Sequence, residues 1–222
     1  MKFDIVIKNG RIIDGSGAPA FNADLGIRDG KIAAYGNLTG ADAGRVIDAA
    51  GYTVTPGFID IHRHADAEAY RAGYGGLELA QGLTTIVNGN CGLSAAPLTG
   101  AFADEIKAYL RPITGEIGDN VPTRSMKEYL DGVKGAPVNS YMLVGAGTVR
   151  AGIAGYKKLR LDDEDYAAIH KTLEAALAEG ALGVSLGLGY APECFYTTEE
   201  LIRALRPLEN GDLRVSSAVG SR

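Results

Sequence analysis

The chain has no tryptophan and contains only three histidines and two cysteines among its 222 residues. Cys91 and Cys194 lie far apart and match no CxxC pattern, so a disulfide framework is not expected and a cytoplasmic location is the default. No stretch approaches the roughly 20 continuous apolar residues of a membrane span. The first residues also lack the apolar core and cleavage site of a signal peptide. We therefore expect a soluble protein without a membrane partner.

Lysine and arginine form no cluster, and the formal net charge is −5 with a pI near 5.3. Binding to nucleic acid or to an anionic membrane depends on basic patches, so neither partner is expected. An apolar content of 46% and a charged content of 22% are typical of an ordinary globular protein. The 31 glycines indicate many tight connections between short elements.

Short strands separated by turn residues fill the first 50 residues. The alternating run 3–8 leads through Asn9-Gly10 into a second run, and Asp29-Gly30 separates two further runs. Asn-Gly and Asp-Gly between alternating segments are the strongest short-range signals for a β-hairpin. The pattern predicts a small antiparallel sheet that has few large apolar residues and needs another surface to pack against.

From residue 52 onward, strands alternate with helices. The predicted strands are 54–61, 84–88, 138–144 and 181–186. The predicted helices are 68–81, 101–110, 125–133 and 163–179. A last helix is predicted to begin at a capping box formed by Thr197 and Glu200 and to end at Leu205. Such alternation predicts a parallel sheet with crossover helices. Four strand–helix units are half of an eightfold barrel, which needs roughly 250 residues. The tail contains a turn at Asn210-Gly211 and a weak strand at 213–219.

Two of the three histidines, His62 and His64, come at the end of the first strand of this series. Side chains at i and i+2 of a strand share a face, so the imidazoles converge while Arg63 points the other way. Neutral imidazole is the commonest metal ligand in proteins, which predicts half of a metal site. Two unrelated polar residues at a strand end are the alternative. His170 falls on the apolar stripe of a helix and is predicted to be structural.

Three segments resemble a known family. The string PGFIDIHRHAD at 56–66 resembles the first barrel strand of the amidohydrolase superfamily, and the strings QGLTTIVNGNCGLS at 81–94 and EGALGVSLGLGYAP at 179–192 resemble the N-acyl-D-amino-acid deacylases, or D-aminoacylases. The likeness extends from about residue 3 to Leu205.

The resemblance implies an α/β fold. A small antiparallel β-sandwich at 1–55 precedes a partial (β/α)8, TIM-like barrel of about four strand–helix units at 56–205. A divergent tail follows at 206–222.

The resemblance also implies roles for individual residues. Cys91, at the end of the second strand, corresponds to the family's metal-bridging or metal-binding cysteine, and Tyr190 to a residue near the substrate carboxylate. A thiolate beside two imidazoles suits Zn²⁺. A buried small hydrophobic residue is the alternative for Cys91, and simple packing is the alternative for Tyr190. Asp66 either orients a ligand histidine or caps the following helix.

The implied activity is hydrolysis of the amide bond of a small-molecule N-acyl-D-amino acid, assisted by one or two Zn²⁺ ions. The products are a carboxylate and a D-amino acid. Dihydroorotase- and hydantoinase-like relatives, which act on cyclic amides, place a carboxylated lysine at the end of strand four. The stretch 183–186 contains no lysine, which favours the deacylase branch.

Other residues of the family pattern have no counterpart. No histidine follows His170, and the weak strand 213–219 offers Ser217 where the family has a histidine. The aspartate that shuttles the proton after strand eight is also missing. We therefore predict a truncated or frame-shifted deacylase that diverges near Leu205 and lacks a catalytic residue of its own. The alternative is a non-catalytic half barrel that binds another subunit through open sheet edges. Assembly into a homo-oligomer is a further possibility that the sequence does not decide.

Overall fold

The computed structural model describes residues 2–209 and the backbone of residues 214–218. It divides into two compact units, Met1–Gly57 and Phe58–Arg222. The first unit is a single sheet with the strand order β3-β2-β1-β4, and β5 also pairs with β1. Its strands are β1 (Lys2–Ile12), β2 (Phe21–Arg28), β3 (Lys31–Gly36), β4 (Asp42–Asp48) and β5 (Thr53–Val54).

The sheet of the first unit is mixed rather than antiparallel. Strands β1 to β3 pair in antiparallel fashion, whereas β4 and β5 both run parallel to β1. The hairpin predicted at Asp29-Gly30 is confirmed, because both residues take the positive φ angles, 52° and 69°, that a tight turn between twisted strands requires.

The hairpin predicted at Asn9-Gly10 is wrong. Strand β1 continues through these residues, and the register with β2 shifts between Ile7 and Gly10. Asn9 has a φ of 60°, and its N–H donates to the carboxylate of Asp24 at 2.9 Å. The same left-handed residue that can open a turn therefore forms a bulge within one long strand.

Parallel strands and helices make up the second unit. They are β6 (Phe58–Asp60), α1 (Gly76–Ala80), β7 (Leu83–Asn88), α2 (Ala103–Thr114), α3 (Met126–Gly132), β8 (Asn139–Met142), β9 (Val144–Gly145), α4 (Ala146–Ala154), α5 (Asp163–Ala178), β10 (Gly183–Gly187), α6 (Thr198–Ala204) and β11 (Arg214–Ala218). The sheet orders are β6-β7-β8 and β9-β10-β11, all parallel. Because only Leu143 separates β8 from β9, the strands follow each other in chain order, as the alternating pattern predicts.

Two predicted elements differ from the structure, and one helix has no counterpart in the prediction. The strand predicted at 54–61 is divided between β5 and β6. The helix predicted at 68–81 is reduced to a 3₁₀ turn and the short α1, since Gly73 and Gly75 take positive φ angles between them. Helix α4 was not predicted, because most of it is buried and it has no polar face to give a helical period.

The tail contains a strand where one is predicted. Strand β11 runs parallel to β10 from the pair Gly183–Arg214 to the pair Gly187–Ala218. The turn predicted at Asn210-Gly211 lies outside the described residues. Within the described ranges, no helix combines the length and the apolar character needed to cross a bilayer.

Helix α5 packs one face onto the core of the second unit. Asp162 begins the helix as its N-cap and forms a capping box with Asp165. The buried face consists of Tyr166, Ile169, Leu173 and Ala176. This helix matches its predicted range to within one residue.

Replacing Leu173 by alanine is expected to lower the free energy of unfolding by about 2–5 kcal/mol, because the residue is fully buried and its removal leaves a cavity. Urea unfolding measures the change. Leu77→Ala is the matched control, since Leu77 is also helical but 76% exposed and should change stability little. Equal effects of the two substitutions would contradict the packing described for α5.

Candidate metal centre

Three potential ligands meet at the C-terminal ends of the first two strands of the second unit. His62 and His64 follow β6, Cys91 follows β7, and one ligand atom of each lies within 4.8 Å of the others. His62 Nε2 lies 3.1 Å from Cys91 Sγ. Among the described residues, this is the one group of three or more histidine, cysteine or acidic side chains close enough to hold a metal ion.

The two histidines and Arg63 contact different partners, as predicted, although all three residues lie beyond the end of β6. Arg63 points away from the cluster and forms an ion pair with Glu78 of α1 at 2.6 Å. The two imidazole rings lie 5.7 Å apart between centroids and meet nearly edge to face. Both rings are therefore on one side of the strand end, with the arginine on the other.

The protonation states of His64 and Cys91 are set mainly by burial. Burial, and then the charge of His62, hold the pKa of His64 below its ordinary value, which favours the neutral imidazole. Burial, and then the charge of Glu193, raise the pKa of the Cys91 thiol, which favours the protonated thiol. The three side chains together offer two nitrogen donors and one sulfur donor.

These donors fit zinc. His64 Nδ1 is buried and has no hydrogen-bond partner, which costs free energy unless another group satisfies it. Tetrahedral zinc, with bonds of about 2.0 Å to nitrogen and about 2.3 Å to sulfur, separates its N and S ligands by about 3.5 Å. This separation lies between the 3.1 Å distance from His62 Nε2 to Cys91 Sγ and the 4.8 Å within which all three ligand atoms lie.

The turn that carries Cys91 has a strained backbone. Cys91 has a φ of 58°, in the left-handed region that residues other than glycine rarely adopt. Such a conformation costs on the order of 1–3 kcal/mol and persists only when surrounding contacts enforce it. Ser185 of β10 supplies two of these contacts, since its hydroxyl donates to the Gly89 carbonyl and accepts from the Gly92 N–H at 3.0 Å.

Asp66 holds the same turn from the other side. Its fully buried carboxylate accepts the N–H groups of Gly89 at 3.4 Å and Ala95 at 3.0 Å. Burial raises the pKa of Asp66 to about 7, against the opposing effect of these two donors. The residue makes neither predicted contact, because its hydrogen bonds reach the Cys91 turn rather than a histidine ring or the following helix end.

Tyr190 and His170 lie elsewhere. Tyr190 follows β10, is 39% exposed and packs its ring against Gly187. The structure does not include it among the clustered ligands. His170 forms a 2.8 Å hydrogen bond with the Arg203 carbonyl, and this contact between helix α5 and helix α6 agrees with the predicted structural role.

The sequence did not reveal three residues that support the site. Asn88 accepts the N–H of Ala65 between the two ligand segments, and Ser185 and Glu193 reach the Cys91 turn from β10 and the loop beyond it. Ser185 had a detectable signal, as a polar residue inside a buried apolar strand. Glu193 had none, because a glutamate after a proline is usually exposed.

The fold and the site define the class of this protein. The Amidohydrolase family model matches residues 45–186, and the chain belongs to that family. D-aminoacylase of Alcaligenes xylosoxydans xylosoxydans is 39% identical over 208 residues, which are 93% of this chain and 42% of that protein. The chain therefore spans less than half the length of this curated relative.

Two solved structures are also similar. A D-aminoacylase with a binuclear metal centre has a TM-score of 0.80 and 36% identity, over 93% of this chain and 43% of its own. The N-acyl-D-glutamate deacylase of Bordetella bronchiseptica, solved with zinc and a phosphonate inhibitor, has a TM-score of 0.79 and 34% identity, over 98% and 45%. The predicted resemblance to the deacylases is confirmed.

Glu193→Gln is expected to change how stability depends on pH. Burial raises the pKa of Glu193 from 4.5 to about 8, so between these values the folded chain keeps a proton that the unfolded chain releases. The stability that this retained proton gives is fully present below the pKa of the unfolded chain. It is lost as pH rises through the pKa of the folded chain, and the loss is on the order of a few kcal/mol. Glutamine does not titrate and avoids this loss.

Urea unfolding of the metal-free parent and the variant at pH 5 and pH 8 tests this. The stability of the variant relative to the parent should increase with pH. Comparing the two chains cancels the effects of Asp66 and His64, which also titrate in or near this window. A difference that is the same at both pH values would show that Glu193 does not titrate as described.

Gly92→Ala is expected to destabilise the fold more than Gly135→Ala. Both glycines have positive φ angles, 71° and 86°, so both substitutions strain the backbone. A Cβ at Gly92 would come within 1.7 Å of Glu193 Oε2, whereas none of the surrounding atoms lies within 4 Å of a Cβ at Gly135. The additional loss is about 1–3 kcal/mol, measured by urea unfolding. Similar losses would mean that the Cys91 turn is less tightly packed than described.

Proposed function

We propose that the protein is a metal-dependent hydrolase that cleaves the amide bond of N-acyl-D-amino acids, giving a carboxylate and a D-amino acid. The observation that carries the proposal is the convergence of His62, His64 and Cys91 at adjacent strand ends. Membership of the Amidohydrolase family and the similarity to D-aminoacylase and the two solved deacylases support it. The substrate is a small molecule.

The proposed architecture is the N-terminal part of a (β/α)8 barrel. Parallel strands β6 to β11 in chain order are what such a barrel requires, and its functional groups lie at the C-terminal strand ends. The sheet of the first unit would form part of a small β-sandwich. The domain bounds 1–55, 56–205 and 206–222 stay predictions.

Each ligand has a distinct part in the proposed chemistry. His62 and His64 would hold the cation through imidazole nitrogens, and Cys91 would release its thiol proton on coordination. A bound Zn²⁺ would polarise the acyl carbonyl and lower the pKa of a water molecule. Asp66 and Ser185 keep the Cys91 turn in place, and the half-exposed hydroxyl-bearing ring of Tyr190 is available for the substrate carboxylate.

The composition of β10 supports a linear-amide substrate over a cyclic one. The cyclic-amide branch uses a lysine at this strand end as a metal bridge, and Ser185 lies there in this chain. The Ser185 hydroxyl is fully buried and committed to the backbone of the Cys91 turn. With no amine to be carboxylated, the thiol of Cys91 is the anionic ligand that the strand ends provide.

We propose that the chain as it stands binds metal without catalysing turnover. Within the described residues, no additional imidazole or carboxylate joins the three clustered ligands. Hydrolysis also needs a group that moves a proton to the leaving amine, and among the described residues no carboxylate joins the cluster to take that role. The competing proposal is a non-catalytic protein that binds another subunit.

Zinc titration by calorimetry tests the ligand assignment. Alanine substitution of His62, His64 or Cys91 should each weaken zinc binding by at least about tenfold, because a three-ligand site loses a donor. The remaining histidine and cysteine provide matched controls: His170→Ala and Cys194→Ser should leave the affinity unchanged.

An assay with N-acyl-D-amino acids completes the test. Zinc bound by His62, His64 and Cys91 supports the proposal, and turnover by the chain would contradict its proposed inactivity. A chain that binds no zinc, or binds it equally well after all three substitutions, would contradict the metal centre itself.

A further inference from the structure

Glu193 is a buried acid that the proposed chemistry does not use. It begins the 3₁₀ turn Glu193–Phe195 beyond β10 and is only 2% exposed. Its side chain turns back to the strand ends, where Oε2 accepts the N–H of Gly187 at 2.9 Å. Burying a carboxyl group is costly, so its contacts need an explanation.

One carboxyl oxygen of Glu193 packs against three strand-end glycines. A Cβ on Gly92 would lie 1.7 Å from Oε2, and a Cβ on Gly147 would lie 2.7 Å from the same atom. The backbone amide of Gly147 also favours the ionised carboxylate, as that of Gly187 does. Gly92 lies in the turn after β7, Gly147 in the first turn of α4 directly after β9, and Gly187 at the end of β10. Glu193 therefore connects these three segments at the C-terminal ends of the strands.

The same packing reaches the metal-ligand turn directly. A Cβ on Gly187 would lie 2.0 Å from the carbonyl oxygen of Cys91, so the end of β10 is in close contact with the Cys91 backbone. Glu193 holds Gly187 by a hydrogen bond and contacts Gly92, the residue after Cys91. Contacts from the β10 side therefore help to hold the backbone of Cys91 in its strained conformation.

A buried arginine partly opposes the effect of burial on Glu193. Arg150 of α4 is fully buried, donates from Nη2 to the carbonyls of Lys158 and Leu159, and lies 4.0 Å from the ring centre of Tyr196. Its positive charge favours the ionised form of Glu193. The guanidinium thus lowers the pKa of Glu193, although burial outweighs this effect.

We propose that Glu193 is a positioning residue for the Cys91 thiol: its carboxyl group holds the turn after β7 against the start of α4 and the end of β10. The consequence for metal binding rests on the proposed function, whereas the positioning itself does not. Removal of the carboxyl group frees the Gly187 N–H and opens space beside Gly92, so the Cys91 turn can leave its strained conformation.

Alkylation of Cys91 by iodoacetamide tests the positioning without metal. In a Cys194→Ser background, Cys91 is the sole cysteine, and it is 7% exposed. Glu193→Ala should accelerate alkylation about tenfold, which is on the order of the free energy of one buried hydrogen bond. Glu193→Gln keeps an acceptor for the Gly187 N–H and should stay within about twofold of the parent.

Asp165→Ala is the matched control, because Asp165 is another largely buried carboxylate but caps α5. It should leave the alkylation rate unchanged. No acceleration in Glu193→Ala, or equal acceleration in Asp165→Ala, would overturn the proposal. If circular dichroism shows that Glu193→Ala is unfolded, Glu193→Asp replaces it: faster alkylation supports the proposal, and a parental rate overturns it.

Cadmium binding measures the consequence for the ligand set. The thiolate-to-Cd²⁺ charge-transfer band reports coordination by Cys91, and Glu193→Ala should weaken cadmium binding about 10–100-fold while Glu193→Gln retains it. Parental affinity in Glu193→Ala would overturn the consequence for metal binding. A parent chain without the band contradicts the proposed function instead, and the alkylation rates then still decide the positioning role.

Discussion

The turn after β7 is the constraint on which the candidate metal centre depends. His62 and His64 follow a strand, whereas Cys91 occupies a left-handed backbone conformation that is unfavourable for a residue with a side chain. Buried hydrogen bonds from Asp66 and Ser185 hold that conformation in place. Burying these polar groups costs free energy, and only the hydrogen bonds formed in this conformation of the turn offset that cost. The position of the thiol therefore depends on the packing of the strand ends.

The parallel sheet explains why distant residues form one site. Parallel strands place their C-terminal ends at one edge, so His62 and Cys91, 29 positions apart, come within 3.1 Å. Burial then adjusts the chemistry: it favours the neutral form of His64 and the protonated form of Cys91. Coordination of a cation by Cys91 would release the thiol proton, so metal binding at this site should be pH-dependent.

Local patterns predicted the elements whose contacts are close in sequence. The His-x-His spacing, the Asp29-Gly30 turn and helix α5 follow from strand alternation, turn chemistry and an apolar stripe. Helix α4 lacks a polar face and therefore lacks a periodic signal. Asn9-Gly10 suits a bulge as well as a turn, and only pairing with β2 decides between them. The roles of Asp66 and Glu193 depend on long-range contacts that a single sequence does not encode locally.

Metal binding by Cys91 together with the two histidines can be observed directly by X-ray absorption at the zinc edge of the zinc-loaded chain, because sulfur and nitrogen ligands differ in bond length and scattering. We expect one sulfur at about 2.3 Å and two imidazole nitrogens at about 2.0 Å. A first coordination shell that contains only nitrogen and oxygen would contradict this expectation.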